Sequence, residues 1–392
     1  MIPVNEPLLA GNEKKYLAEC IDSGWISSDG PYVKQFEEAF AAYVGVGEGV
    51  AVCNGTAALE TALYGAGIGQ GDTVVMPTFT IISCAIAALR LGARLALVDI
   101  EPETWCMDVE HLKKVVESET GKAKGRLKAI MPVHIYGHPV DMDPVLEIAE
   151  HHGLMVIEDA AEVHGAEYRS GLLENGVKKT DGVWKRCGSM GHVAAFSFYA
   201  NKIVTTGEGG MVLTNDPTIA ERARSYRNLC FKQERRFYHT EIGYNFRMTN
   251  LQAAVGLAQL ERIDEFVHKK RRLGEYYRKK LAEIAGVRFQ KERGWARSVY
   301  WMYCIEIDPG LGLSAETLQQ RLKKKGIGTR PFFLGLHAQP VLQKMDIGVD
   351  PKGFPKADHA YRYGCYLPSG MTLTEEQVDV VCAALVEALE GK

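Results

Sequence analysis

GVAVCNGTAALETALYGAGIGQGDTVVMP, residues 49–77, carries the pattern that decides the fold. It opens on a short run with apolar residues on both parities, breaks at Asn54-Gly55, continues as an alanine- and leucine-rich helical stretch, turns through glycines, and ends in a second apolar run. Strands buried on both faces look like this, because neither parity of side chain meets water. The pattern recurs outward to about Asn215: a helical stretch from Ile81 to Leu91, ARLALVDI then VEHLKKVVES, LKAIMPVHIYG then PVLEIAEHH, and LMVIED. Such alternation predicts βαβ units and a parallel or mixed sheet between helices.

Beyond that region VAAFSFY and GGMVLTN read as two strands around a polar turn. From Asn250 to Ile284, Ala253, Leu257, Leu260, Ile263 and Val267 share one face, which predicts a long helical rod. The remainder joins strand-like VYWMYCIEI to helices around AETLQQRLKKKG and EEQVDVVCAALVEALEG. The expected organisation is α/β throughout, with a large unit over residues 1–260 and a smaller one over 261–392. Residues 170–191 are polar, basic and turn-rich, and read as a surface hairpin or loop excursion.

Composition narrows the function. A chain of 392 residues suits roughly two to three domains. With 46 basic and 49 acidic residues the net charge is -3, so the basic surplus that nucleic-acid or membrane binding exploits is missing. The nine scattered cysteines contain no CxxC pair, which favours reduced thiols in a cytoplasm over a disulfide framework or a zinc site. The N-terminus MIPVNEPLLAGNEKKYL has no basic stretch followed by an apolar one, and neither a signal peptide nor a membrane span is expected. Forty glycines exceed the usual ~7% and suggest tight turns or close backbone approach to a ligand.

Three stretches carry candidate chemistry. In CNGTAALETAL, residues 53–63, a strand ends and a helix starts within two residues; Gly55 leaves room, Thr56 offers a cap-type hydroxyl, and the free N–H groups suit a phosphate. An ordinary, well-capped βα turn is the plainer alternative. No GxxxxGK[ST] occurs and no GxGxxG follows a strand, which argues against a nucleotide hydrolase or a dinucleotide dehydrogenase. In LMVIED, Glu158 and Asp159 stand where open α/β sheets hold ligands. Neighbouring strand residues point to opposite faces, so one of the two faces the site and a glycosidase pair is ruled out. In AAFSFYANKIVTTGEGGMVLT, residues 194–214, Lys202 sits in a tight turn between buried strands, where desolvation lowers a lysine's pKa and makes its amine a nucleophile. A phosphate grip, a strand-end aspartate and a turn lysine, in that order, are what pyridoxal phosphate needs.

On NGTAAL, VIEDAAEVHGA, FSFYANKIVTTGEGG and GYNFRMTNLQAAVGLAQLER, the chain resembles the DegT/DnrJ/EryC1/StrS sugar aminotransferases from about Gly24 to its C-terminus. The resemblance implies a fold-type I pyridoxal 5'-phosphate enzyme with a large mixed-sheet domain and a smaller C-terminal α/β domain, passing through the pyridoxamine phosphate form. It implies that Lys202 forms the Schiff base and moves the proton, and that lysine here marks amination rather than the dehydration catalysed by members with histidine. Asp159 would pair with the pyridine nitrogen and Glu162 would lie near the ring hydroxyl. Gly55, Thr56, Ala57 and Ser197 would hold the phosphate, with Asn245 lent by the other subunit of a homodimer.

Ile81 falls where the family often has an aromatic over the ring, His192 stands in GSMGH where an acid is common, and the loop at 172–186 looks longer than usual. The wording PVHIYGHPVDMDP, NKIVTTGEGGMV and NFRMTNLQAA looks most like members that use L-glutamate to aminate GDP-4-keto-6-deoxy-D-mannose. A UDP- or dTDP-linked 3- or 4-keto sugar is the alternative substrate, and a pyridoxal phosphate-binding regulator without turnover is the alternative class. By the same resemblance Trp25, Ser27, Arg330 and His337 would line the sugar cleft, while Trp25 could equally be packing. His134 and His138 lie four apart, but Gly137 and Pro139 argue for a strand end and turn rather than for the metal of a zinc hydrolase.

Overall fold

The computed structural model describes residues 1–121, 126–171, 173–174, 177–178, 182–232, 234–235, 237–348 and 352–391. The region of alternating strands and helices builds one seven-stranded sheet. Its first five strands are β1 (Glu48–Val52), β2 (Asp72–Pro77), β3 (Arg94–Val98), β4 (Arg126–Ile130) and β5 (Met155–Asp159). The strands Val193–Ser197 and Gly210–Thr214 complete it, in the spatial order β1, 210–214, 193–197, β5, β4, β2, β3. Gly210–Thr214 runs antiparallel to both of its neighbours and the remaining pairings are parallel, so the sheet is mixed as expected. Every residue of β2, Val193–Ser197 and Gly210–Thr214 is buried, which accounts for the two-sided apolar runs in the sequence.

Helices α1 (Glu13–Ser23) and α2 (Pro31–Val44) precede the sheet, and α3 (Gly55–Gly65), α4 (Ser83–Arg90), α5 (Val109–Glu119) and α6 (Met142–His152) connect its strands. After the sheet come α7 (Pro217–Arg227), α8 (Asn250–Leu260) and α9 (Ile263–Leu281). The rod expected over Asn250–Ile284 is therefore two helices. Arg262, at φ -115° and ψ 12°, leaves helical geometry, and Asp264 and Glu265 in the next turn favour a new N-terminus there. Thr249 and Gln252 cap the start of α8 reciprocally.

A second, four-stranded antiparallel sheet orders Val287–Phe289, Tyr303–Ile307, Gly364–Leu367 and Arg330–Pro331. Tyr277 and Leu281 of α9 pack there with Ile305, Leu318, Leu322, Val381 and Leu385 in a core of their own. The start of the chain reaches this unit: Ile2 bridges Ile327, and the Ser369 N–H donates to the Val4 carbonyl at 2.8 Å. The excursion at 170–191 is a hairpin in its described part, Glu167–Ser170 pairing with Val183–Arg186 and, on its other side, with Ala296–Arg297. Residues 172, 175–176 and 179–181 of that excursion lie outside the described residues. Among the described residues no helix is long and apolar enough to cross a membrane.

The last two residues of β5 diverge, as strand parity requires. Glu158 points away from the ligand side and is fully buried. Its carboxylate accepts the N–H groups of Gly188 at 2.8 Å, Met190 at 2.7 Å and Gly191, together with His134 Nε2 at 3.0 Å. His134 Nδ1 accepts the Val140 N–H, so its Nε2 is the donor. Burial pushes the Glu158 carboxyl up, but the histidine and these N–H groups outweigh it and hold the group below its usual value of 4.5. A depressed pKa stabilises the fold above the unfolded-state value and loses that contribution as pH falls through the folded-state value. Glu158→Ala is expected to cost about 3 kcal/mol or more by stranding buried donors, and Glu158→Gln to flatten the acid limb of stability; urea midpoints measured across pH check both.

Candidate active site

The C-terminal ends of the large sheet's parallel strands open on a cavity of 600 Å³. At the end of β1, Asn54 adopts extended geometry and its side chain accepts the Ala57 N–H at 2.8 Å, so Asn54 is the cap of α3. The hydroxyl of Thr56, read from sequence as the cap, instead donates to Ser83 Oγ at 3.0 Å. Gly55 and Thr56 open the helix, and the Ser197 side chain lies against Gly55. A Cβ on Gly55 would lie 2.7 Å from the Ser197 Cβ, so the helix can begin this close to the strand 193–197 because residue 55 is glycine. Helix N–H groups and three hydroxyls converging on one corner suit a phosphate.

Asp159 is 3% exposed and faces this cavity from β5. One carboxylate oxygen accepts the Ala161 N–H at 3.1 Å and the other the Cys84 thiol at 3.0 Å. Glu162, in the turn that follows, accepts the Tyr136 N–H at 2.6 Å. Tyr136 has a φ of +56°, in the left-handed region, and lies in the Ile135–Gly137 turn. Burial pushes the Glu162 carboxyl up, against the lowering influence of Lys202, to about 7. Glu162 can therefore hold or release a proton near neutrality.

Lys202 closes the site. The strand 193–197 runs into a tight turn in which the Lys202 N–H donates to the Tyr199 carbonyl at 2.8 Å. Its Nζ lies 3.6 Å from Glu162 Oε1 and 3.6 Å from the centroid of the Trp301 ring. Burial lowers the pKa of this amine, and the carboxylates of Glu162 and Asp159 only partly restore it. A desolvated amine, a fixed carboxylate and a phosphate corner in one cavity fit pyridoxal phosphate: Lys202 for the aldehyde, Asp159 for the pyridine nitrogen, and the start of α3 with Ser197 for the phosphate.

The cavity thus gathers Gly55, Thr56, Ala57, Ile81, Asp159, Glu162, Ser197 and Lys202. It does not gather Trp25, Ser27, Arg330 or His337. Trp25 and Ser27 are exposed, and their carbonyls accept from Asn250. Arg330 is exposed beside a separate cavity of 1010 Å³, opposite Tyr366, which does line the first one. His337 is held by Thr78 at 2.7 Å and Asp358 at 2.9 Å. Asn245 is exposed and outside the cavity of its own chain. His192 is also exposed and takes the Val156 N–H at 3.0 Å, so the loss of an acid there leaves the cavity untouched.

His134 and His138 do not converge. His138 is buried, its Nδ1 lies 2.7 Å from the Pro139 carbonyl, and burial pushes its pKa down to about 4. Sequence reading missed Asn54, Ser83, Trp301, Phe333 and Tyr366, all of which line the cavity. Asn54 was legible as a cap three residues before Ala57. The last three follow α9 in the chain and carry no local motif.

Residues 7–386 match the model of the DegT/DnrJ/EryC1/StrS aminotransferase family. The chain is 41% identical to a GDP-perosamine synthase of Caulobacter vibrioides, over 99% of this chain and 98% of that one. It is 39% identical to a GDP-perosamine synthase of Escherichia coli O157:H7, over 100% and 99%. Among solved structures, DesV of S. venezuelae in complex with a ketimine intermediate superposes with a TM-score of 0.84 at 32% identity, covering 97% of this chain and 94% of that one. The chain belongs to the DegT/DnrJ/EryC1/StrS aminotransferase family and is a pyridoxal phosphate-dependent sugar aminotransferase.

Proposed function

We propose that the protein transfers the amino group of L-glutamate to GDP-4-keto-6-deoxy-D-mannose, giving GDP-perosamine, with Lys202 as the covalent anchor of the cofactor. The buried amine of Lys202, 3.6 Å from Glu162 in the cavity that also holds Asp159, carries the residue assignment. Full-length likeness to two relatives named GDP-perosamine synthase supports the sugar. A UDP- or dTDP-linked 3- or 4-keto sugar remains the competing substrate. A regulator without turnover is disfavoured, because full-length relatives at 41% and 39% identity are named as synthases.

Pyridoxal phosphate, when bound, carries the amino group between the two half-reactions and draws electrons from the bond being broken. The protein's side chains then have separable tasks. Asp159, held by two donors, presents a fixed carboxylate to the ring nitrogen and favours its protonated form. Gly55, Thr56, Ala57 and Ser197 bind the phosphate and so fix the ring's orientation. Lys202, whose pKa is lowered by burial, can take or give a proton at Nζ. Glu162, 3.6 Å away, sets the charge that this amine faces, since its own pKa is near neutrality.

The active form in this proposal is a homodimer with Asn245 completing the partner's phosphate site, working in the cytoplasm with its nine cysteines as thiols. Ile81 and Tyr199, both at the cavity, are 46% and 47% exposed, and Ile242, near Asn245, is 79% exposed. A partner subunit covering these apolar side chains would remove them from water, which supports the dimer reading.

Purified protein incubated with glutamate and a panel of GDP-, UDP- and dTDP-keto sugars is expected to aminate the GDP sugar; conversion of the other two alone would refute the assignment. Lys202→Ala should bind cofactor without covalent attachment and lose amination to background. Asp159→Asn should lower the turnover number by at least about 100-fold, since it removes an interaction needed at the reacting ring. Mixing inactive Lys202→Ala and Asn245→Ala proteins tests the shared site: subunit exchange should restore about one quarter of wild-type activity if Asn245 acts across the dimer, and none if it acts in its own chain.

A further inference from the structure

The second unit sends one side chain against the amine of Lys202. Trp301 is 4% exposed, and its ring centroid lies 3.6 Å from Lys202 Nζ. At that distance the negative face of an indole attracts an ammonium, and it does so more strongly when water is excluded.

The indole is fixed from three directions. Its Nε1–H donates to the carbonyl of Asn201, the residue before the lysine, at 2.8 Å. Its own carbonyl accepts Lys270 Nζ at 2.8 Å, and the same ammonium also donates to the Ser369 carbonyl. Lys270, in α9, is 2% exposed, and burial pushes its pKa down to about 7. On the other side, Tyr300 has a φ of +45°, a conformation that a residue with a side chain adopts only when its surroundings impose it. Its hydroxyl donates to Glu292 and its N–H to Ser298 Oγ, which accepts at 3.1 Å. The 135–137 turn packs directly on this backbone: a Cβ on Gly137 would lie 2.5 Å from the Trp301 nitrogen. A buried lysine, a left-handed tyrosine and an obligate glycine together hold one indole in place.

The other titratable groups facing Lys202 are Asp159 of β5 and Glu162 and His164 after it. His164 is kept neutral, its pKa pushed down to about 3 by burial. Glu162, with a pKa near 7, carries its charge only part of the time at neutral pH. The indole face is present in every protonation state.

We propose that Trp301 is a positioning residue for the amine of Lys202: its face seats the ammonium and lets go of the neutral amine. The attraction acts on the charged form alone. Losing the proton therefore removes what holds Nζ against the ring, and the amine becomes free to add to an aldehyde carbon, with water leaving. The inference rests on Lys202 as the attachment residue.

The test follows covalent attachment of pyridoxal phosphate to cofactor-free protein as a function of pH, fixed with borohydride and located by peptide mass spectrometry. Trp301→Leu keeps the site dry but removes the π face, so the ammonium is less favoured and the pH midpoint of attachment should fall by roughly one unit. Trp301→Phe, with a weaker face, should fall between. Affinity for pyridoxine phosphate, which lacks the aldehyde, is measured in parallel so that attachment is compared at saturating cofactor, and thermal melting checks that each variant is folded. An unmoved or raised midpoint in the folded variants would overturn the inference while leaving Lys202 as the anchor. Label missing from the Lys202 peptide of the wild-type protein would remove that assignment, and the inference with it.

Discussion

Taking an ammonium out of water is unfavourable unless something replaces its hydration, and at Lys202 that constraint organises the molecule. The side chain is 10% exposed. Its replacements come from separate parts of the chain: Glu162 from the turn after β5, and Trp301 from the approach to the second sheet. Glu162 in turn is aimed by the Tyr136 N–H, from a turn between β4 and α6 that sits in left-handed geometry. None of these contacts is local in sequence. The amine can be seated only once the large sheet, the 135–137 turn and the second unit have come together.

Parity along β5 supplies a second constraint. Asp159 enters the cavity while Glu158 turns the other way and gathers the N–H groups of Gly188, Met190 and Gly191. That segment leads directly into the strand 193–197, which lies parallel to β5 and ends at Ser197. The buried carboxylate thus clamps the entry of the strand whose exit carries Ser197 and then Lys202 into the cavity. One dipeptide sends an acid into the cavity and braces the neighbouring strand that leads to Ser197 and Lys202.

Much of this is legible in the sequence. Two-sided apolar runs gave the sheet, and Thr56, Asp159, Ser197 and Lys202 meet in one cavity as their motifs implied. What stayed hidden depends on contacts between distant residues. Capping by Asn54 rather than Thr56 depends on which side chain turns back to the Ala57 N–H, and a strand-to-helix junction of asparagine, glycine and threonine permits either. The break at Arg262 interrupts an apolar stripe that continues on both sides, so periodicity alone could not show it. Trp301 lies in an ordinary strand-like run, and its importance arises because Lys270, Asn201 and the 135–137 turn all converge on it. Arg330 and His337 enter only through the resemblance: Arg330 lines a separate cavity, opposite Tyr366 of the first, and His337 bonds Asp358.

Ile81 shows how the site manages without an aromatic ring at that position. An aromatic pair contributes about 0.5–1.5 kcal/mol beyond burial, and isoleucine supplies burial alone. The same segment acts instead through polar contacts on either side of Ile81. Thr80 Oγ1 lies 3.3 Å from the Cys84 sulfur, the Cys84 thiol donates to Asp159, and Ser83 accepts from Thr56. Residues 80–84 therefore brace both Asp159, the acid proposed for the ring nitrogen, and the corner proposed for the phosphate. Stacking would resist tilting of a bound ring, whereas one anchor at the nitrogen and one at the phosphate would resist rotation and sliding. Orientation is thus set by hydrogen bonds that the fold has already formed, which is where a reaction that breaks one chosen bond needs it to be set.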